Sequence, residues 1–427
     1  MTKNYYEHIN ETVYSETLPN GLKVVVVPKS DYDKTYAIMT TRYGGIDNRF
    51  IPYDKDEFVE YPKGIAHFLE HKLFEMEDGV DASLYLTKLG ASSNAFTAFD
   101  RTSYLFSTTS NVNECVKYLL DFVQKPYFTE ENIKKECGII EQEIKMYLDD
   151  PDSKLFWGTL KNLYKNNFVS TDLVGSVESI NKITKEMLYS CYNTFYHPSN
   201  MQIFIIGNVG LDVFDVIREN QAAKTFLPIK EIKREYVYDE FKDHIKERIE
   251  YMDVMMPKLS LGIRFNRIFD NPQLIDLKIS LLSNILIGES SDLRLELMEK
   301  GLINDTFGYY CDFNKSASYY ILSGDSDNPD ELYKELEKFV KDIPNMKIDE
   351  TLFEGAKRNL IGQYIYMLNS LEGTANNYTT CDFSGNNLYT MIDVIKSFDI
   401  SVLDEIKELF KNVIITKFEI FPNEENE

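Results

Sequence analysis

The two halves of this chain follow one plan, and a chain built that way has few folds open to it. In the first half, LPNGLKVVVVP (Leu18 to Pro28) joins a turn to a β-branched run, and YAIMTTRYG (Tyr36 to Gly44) predicts a second strand. Helical periodicity begins near Gly64, and NAFTAFDRTSYLFST (Asn94 to Thr108) predicts further strand. VNECVKYLLDFVQKP then sets Cys115, Leu119, Phe122 and Val123 at helical spacing, and Thr129 offers an N-cap to a helix whose first turn holds Glu130 and Glu131. The second half repeats the order, with YYILSG (Tyr319 to Gly324) as strand and PDELYKELEKFVKDI and IDETLFEGAKRNLIGQYIYML as helices. Phe339-Val340 echoes Phe122-Val123, and Leu360-Ile361 echoes Ile139-Ile140. Strand-rich segments that precede paired helices, used twice, predict an α+β layer architecture made by duplication. The charged stretch Ile229 to Glu247 is the linker candidate, which places the expected domains at 1–228 and 248–427 with 229–247 between them.

Composition narrows the function classes. Of 427 residues, 46 are Lys or Arg and 69 are Asp or Glu, a net charge of −23, the opposite of the basic footprint that phosphate contacts need. No nucleic-acid partner is expected, and an acidic surface steers basic or extended peptides favourably. Hydrophobic residues make up 43%, too many for a disordered acidic chain, so this is a folded protein. The N-terminus MTKNYYEHINETVYSE lacks a positive region followed by an apolar core, and no run is long enough to span a membrane, so a cytoplasmic location is expected. Cys115, Cys137, Cys191, Cys311 and Cys381 are odd in number and scattered, which predicts core or surface thiols rather than disulfides or a thiolate cage. No GxxxxGK[ST] loop, GxGxxG turn or GxSxG elbow is present, so nucleotide-driven and serine-hydrolase chemistry are unsupported.

The informative segment is GIAHFLEHKLFE, Gly64 to Glu75, which holds two of the five histidines, His67 and His71. On a helix, i and i+4 share a face, so both imidazoles reach one metal ion, and Glu70 on the same face can set a carboxylate beside a metal-bound water. This is HxxEH, the inverzincin arrangement that inverts the HExxH zinc-protease helix. Five histidines in this length give a chance i,i+4 pair only about 0.06 times, so the pairing is informative. Two imidazoles and a water leave a tetrahedral zinc one protein ligand short, and a distant carboxylate commonly supplies it. The helix ENIKKECGIIEQEIKMYLDDP carries Glu136 and Glu143 two turns apart on one face, but Glu130, Glu131 and Glu141 lie nearby, and spacing alone does not choose among them. His197, in YHPSN before a strand, reads as structural.

These residues resemble the M16 peptidases, the group that includes pitrilysin, insulin-degrading enzyme and the mitochondrial processing peptidase. HFLEHKLF is similar to that family's zinc helix, GASSNAFTAFDRTSYLF to its substrate-binding strand, ECGIIEQE to its downstream E-x6-E, and FYHPSNMQIFIIGN to the stretch leading into the next strand. The resemblance covers essentially the whole chain and is most specific from Gly64 to Gly207, with the short bacterial M16B-like members, and among them the zinc-bearing subunits of Firmicutes pairs, as the nearest in kind. It implies two homologous αβ-roll domains of the LuxS/metallohydrolase type, antiparallel sheets flanked by helices, closing like a clam around a peptide. It implies one Zn2+ per chain on His67, His71 and Glu143, Glu70 as general base, and Glu136 as a catalytic-site carboxylate that orients the ligands. Asn94, Ala95, Phe96 and Thr97 are implied as the edge strand that holds substrate through main-chain hydrogen bonds.

One departure stands out. Many active M16 enzymes carry an arginine and a tyrosine in the second half, six residues between them, both bonding the substrate carbonyl and its developing oxyanion. Here LELMEKGLINDTF puts Leu297 or Met298 where arginine is expected and Ile303 or Asn304 where tyrosine is expected. Losing one oxyanion donor costs about 100- to 1,000-fold in kcat. A heterodimer with a zinc-less sibling that supplies both residues is therefore expected, with Arg294, Tyr309 or Tyr310 as substitutes within this chain. KISLLSNILIG stands where the zinc helix would be, and Tyr364 falls near the position of Glu143, so the second half has no metal set. The expected function is a zinc endopeptidase acting on peptides or small unfolded segments. The rivals are a non-catalytic core subunit and a maturase dedicated to one precursor peptide.

Overall fold

The computed structural model describes residues 1–423; positions 424–427, the end of the polar tail, lie outside the described residues. In chain order the first half forms β1 (Thr2–Tyr6), β2 (Glu11–Thr17), β3 (Lys23–Pro28), β4 (Thr35–Thr41), β5 (Arg49–Phe50), β6 (Val59–Glu60), α1 (Ile65–Phe74), α2 (Ala82–Lys88), β7 (Ser92–Thr97), β8 (Thr102–Thr108), α3 (Val112–Val123), α4 (Glu130–Asp149), α5 (Pro151–Leu163), α6 (Val177–Ile180), α7 (Lys185–Phe195), β9 (Met201–Gly207) and α8 (Val213–Ala222). The second half forms β10 (Glu247–Met252), β11 (Lys258–Phe265), α9 (Pro272–Leu286), α10 (Asp292–Glu299), β12 (Gly308–Phe313), β13 (Ser318–Asp325), α11 (Pro329–Asp342), α12 (Glu350–Leu368), α13 (Leu371–Phe383), α14 (Met391–Ser397), α15 (Ser401–Leu409) and β14 (Val413–Pro422).

The duplication is visible in strand order. One sheet runs β1-β2-β3-β9-β4-β8-β7 and the other β10-β14-β11-β13-β12, so its five strands match the five that end the first sheet. Every residue of β4 and β9 is buried, which is why their middles, Tyr36–Met39 and Ile203–Ile206, read as apolar runs instead of alternating ones. The expected antiparallel sheets need one correction each. β3 pairs with β9, and β10 with β14, in parallel. In both halves the last strand, β9 or β14, returns after a series of helices, a connection long enough to bring it back beside β3 or β10 in the same direction. Asn94 to Thr108 is a hairpin, β7 and β8, turning at 98–101. The leader forms β1 and β2; nearly all of β1 is exposed, so it carries no apolar alternation to read.

Two units divide the chain, and they are not the contiguous domains expected. The first comprises Met1–Ile144, Asp172–Glu235 and Ile365–Tyr389; the second comprises Lys145–Thr171, Tyr236–Tyr364 and the chain from Thr390 on. Each sheet is covered by a helix from the other half of the sequence. In the second unit α5 packs on β11 and β14. Gly158 permits the approach, since a Cβ there would lie 2.4 Å from the Phe418 ring, and Thr159 Oγ1 bonds Ser260 Oγ at 2.7 Å. In the first unit α13 packs on β4 and β9, with the Tyr378 and Phe204 ring centroids 4.6 Å apart and Gln202 Nε2 donating to Thr379 Oγ1 at 3.1 Å. The stretch 229–246 forms neither helix nor strand beyond a single bridge at Arg234. All five cysteines are free thiols, three buried and two partly buried. Among the described residues no helix is long and apolar enough to cross a membrane.

Candidate metal centre

α1 carries the site because its sequence buries nearly all of its surface. Ile65, Ala66, Phe68, Leu69 and Leu73 are buried together with His67, Glu70 and Lys72, so polar side chains here stand among core residues. Gly64 precedes the helix at φ +87°, and Gly175 lies against it at φ +82°. His71 and Lys72 occupy the last turn, where positive charge suits the helix dipole. The i, i+4 spacing brings the two imidazole centroids to 4.5 Å.

α4 supplies the acids. Thr129 caps it, accepting the Asn132 N–H at 3.1 Å, and its inward stripe is Ile133, Glu136, Ile140 and Ile144. That stripe decides among the glutamates spacing left open. Glu130 and Glu131 are exposed in the first turn, and Glu141 accepts from Asn181 Nδ2 at 2.8 Å. Glu143 meets the histidines: Oε1 lies 3.6 Å from His67 Nε2 and Oε2 3.6 Å from His71 Nε2. Both distances exceed a hydrogen bond. Ligand atoms on tetrahedral bonds of about 2.1 Å stand about 3.4 Å apart, so the spacing suits three ligands of one zinc. Among the described residues, His67, His71 and Glu143 are the one trio of His, Cys, Asp or Glu whose ligand atoms gather within 4.8 Å.

The surrounding contacts set protonation. Glu136 Oε1 lies 3.0 Å from His71 Nδ1; an ionised carboxylate accepts, so Nδ1 carries the proton and the Nε2 lone pair faces Glu143. Burial works to lower the His71 pKa, and the Glu136 hydrogen bond with the nearby carboxylates outweighs it, leaving it raised. Burial works to raise Glu136, and the His71 bond and charge, helped by Lys72, bring it below the usual carboxylate range. Glu70 is pushed up, chiefly by burial, against the opposing pull of His67 and of Thr97, whose Oγ1 donates to Glu70 Oε2 at 2.6 Å. Lys72 has no exposed surface; its Nζ reaches Glu75 Oε2, lies 3.4 Å from the Asn132 carbonyl and 3.7 Å from Glu136 Oε2. Neither Lys72 nor the Thr97–Glu70 contact was legible: a lysine in a helix reads as surface, and Thr97 reads as part of the implied substrate strand, not as a partner of Glu70.

Asn94, Ala95, Phe96 and Thr97 lie on β7, the edge strand beyond β8, with Asn94 exposed and the other three half-buried. A cleft of ≈ 410 Å³ borders its first residues, lined in part by Tyr32, Lys34, Tyr36 and Glu372. His197 sits elsewhere, its Nδ1 beside Ser199 Oγ at 2.8 Å and its Nε2 beside the Leu227 carbonyl at 2.9 Å, a turn-fixing role. In the second unit Leu297 and Ile303 are core residues at 1% and 7% exposure, and Arg294 Nη1 is bonded to the Phe307 carbonyl at 3.0 Å.

Comparison with known proteins agrees with this picture. The family description Insulinase (Peptidase family M16) matches residues 59–176, and that of the Peptidase M16 inactive domain matches 182–360. YmfH of Bacillus subtilis, named an uncharacterized zinc protease, is 43% identical over 96% of this chain and 95% of its own length. YmxG of the same organism, also named an uncharacterized zinc protease, is 25% identical over 72% of this chain and 75% of its own. The crystal structure of an M16-like protein from Alicyclobacillus acidocaldarius superposes with a TM-score of 0.91 at 32% identity, covering 97% of this chain and 99% of that one. A helix bearing both histidines, a carboxylate brought to it by α4 and a twice-used fold thus coincide with near-full-length similarity, and the chain belongs to the M16 family of zinc peptidases.

Proposed function

We propose that this protein is an endopeptidase that hydrolyses peptides or small unfolded segments, with Glu70 as general base. The observation that carries the reading is Glu70 itself: a buried carboxylate on the same helix as two of three convergent zinc donors, steered by Thr97 at the end of an edge strand. A zinc ion on His67, His71 and Glu143 would acidify a water and polarise the peptide carbonyl. Glu70 takes the water's proton and returns it to the leaving amine, a cycle suited to a carboxylate whose burial strengthens its hold on a proton. β7 offers an open edge along which an extended peptide adds as a further strand, its main chain fixed and its side chains free to vary. Glu136 holds the His71 tautomer throughout.

The partner reading extends this. A sibling subunit supplies the arginine and tyrosine that LELMEKGLINDTF lacks, since Leu297 and Ile303 belong to the core and Arg294 is tied to Phe307. The test is turnover of a quenched-fluorescent peptide library by zinc-loaded protein, alone and mixed with a candidate zinc-less sibling, beside the Glu70→Gln variant. Turnover that appears or rises steeply on mixing and vanishes in the variant is expected. Equal turnover in Glu70→Gln would sink the general-base assignment. Full activity alone, unchanged by the sibling, would sink the partner.

A further inference from the structure

We propose that Lys72 is a positioning residue of the metal centre, acting through Glu136 on His71; the proposal rests on the zinc reading above. Three features of its surroundings carry it. The side chain is fully buried, on a helix whose other inward residues, Phe68, Leu69 and Leu73, are ordinary core. An ammonium in such a place is expensive unless paired, and an apolar residue would satisfy packing alone. What Lys72 meets is two acids, Glu75 just past its own helix and Glu136 on α4 beside His71, together with the Asn132 carbonyl.

The division of labour on Glu136 is the second feature. One oxygen, Oε1, accepts from His71 Nδ1 at 3.0 Å, while the other, Oε2, faces Lys72 Nζ at 3.7 Å. A carboxylate drawn at both oxygens cannot rotate about its terminal bond without losing one partner, so the oxygen bonded to His71 stays in place. The imidazole that it holds keeps its Nε2 lone pair toward Glu143. Charge balance is the third. Glu70, Glu136 and Glu143 gather around two imidazoles, and Lys72 places a buried cation against one of these acids and against Glu75 just past its own helix. The lysine also ties the last turn of α1 to the first turns of α4, the two helices that must stay in register for the trio to converge.

The experiment measures zinc affinity by competition with a chromophoric chelator in the full chain, for wild type, Lys72→Met, Glu136→Gln and the double variant. Groups that support metal ligands typically matter by about 10- to 100-fold in affinity, and that loss is expected for Lys72→Met. In the Glu136→Gln background the same change should cost no more than about threefold, because the route to His71 is already cut. A purely structural lysine would weaken both backgrounds equally. Multiplying losses, or wild-type affinity in Lys72→Met, would overturn the proposal while leaving the zinc reading standing; absence of zinc binding by the wild type would overturn both. Should Lys72→Met fail to fold, Lys72→Met/Glu75→Gln, which leaves one fewer carboxylate without its cation, carries the same readout with the same two outcomes.

Discussion

Thr97 shows how much one hydroxyl can decide at the residue scale. Its Oγ1 donates to Glu70 Oε2 at 2.6 Å, which fixes that carboxylate and favours its ionised form. Hydrogen bonds to charged groups are worth about 1.5–3 kcal/mol, so Thr97→Val should lower kcat by about 10- to 100-fold with zinc content unchanged, and Thr97→Ser should restore most of it. Lost zinc in Thr97→Val would instead make the residue part of the metal scaffold. Asp47 carries a different consequence. It is buried beneath Arg234 Nε, 2.9 Å away, and the Gly44 N–H at 3.0 Å, yet burial dominates and pushes its carboxyl from 3.8 up to about 6. The folded state then holds this proton more tightly than the unfolded chain does. Its contribution is therefore fully present below about pH 4, is lost as pH rises to about 6, and is flat above. Urea midpoints across pH 4 to 7 should show wild type losing ground to Asp47→Asn over that window; a constant difference would refute the linkage.

At the scale of elements, the start of α1 depends on two glycines that face each other. A Cβ on Gly64 would lie 2.6 Å from the Val174 carbonyl oxygen, and one on Gly175 would lie 2.6 Å from that of Lys63. Both also have positive φ, which costs an L-residue about 1–2 kcal/mol before any clash. Gly64→Ala should therefore lower the melting temperature by several degrees and weaken zinc binding, because the helix that carries His67 and His71 cannot seat where it does. An alanine variant with wild-type melting and chelator competition would show that the crossing relaxes at no cost. The same packing logic explains α4, whose buried stripe, not its count of glutamates, turns Glu136 and Glu143 toward α1.

For the whole molecule, the exchange of α5 and α13 means that neither half of the sequence contains a complete unit. A fragment ending at residue 247 keeps seven strands of one sheet and loses the helix that covers β4 and β9, leaving Phe204, now 0% exposed, without Tyr378 over it. It also carries α5 with no sheet to pack on. Such a fragment should aggregate or melt without cooperativity, and co-expression with 248–427 should restore a soluble, cooperatively melting species, as read by circular dichroism. A fragment that folds cooperatively alone would mean that the exchanged helices are dispensable. Duplication was visible in the sequence because each copy repeats its own strand and helix periods, whereas the exchange was not: nothing local distinguishes a helix that packs on its own sheet from one that packs on the other.

His67, Glu70 and His71 were determined by sequence alone, since four residues of helix turn a spacing into a shared face whatever surrounds it. The apolar runs that became β3, β4, β8 and β13 were equally plain, whereas β10, β11, β12 and β14 of the second sheet were not read from their sequence. Tertiary structure decided the rest. It chose Glu143 over Glu141, brought Thr97 to Glu70, and enclosed Lys72 beside Glu136. Each of those choices depends on how two elements distant in sequence press their buried faces together, and that register follows from packing the whole core at once, not from the period of any one segment.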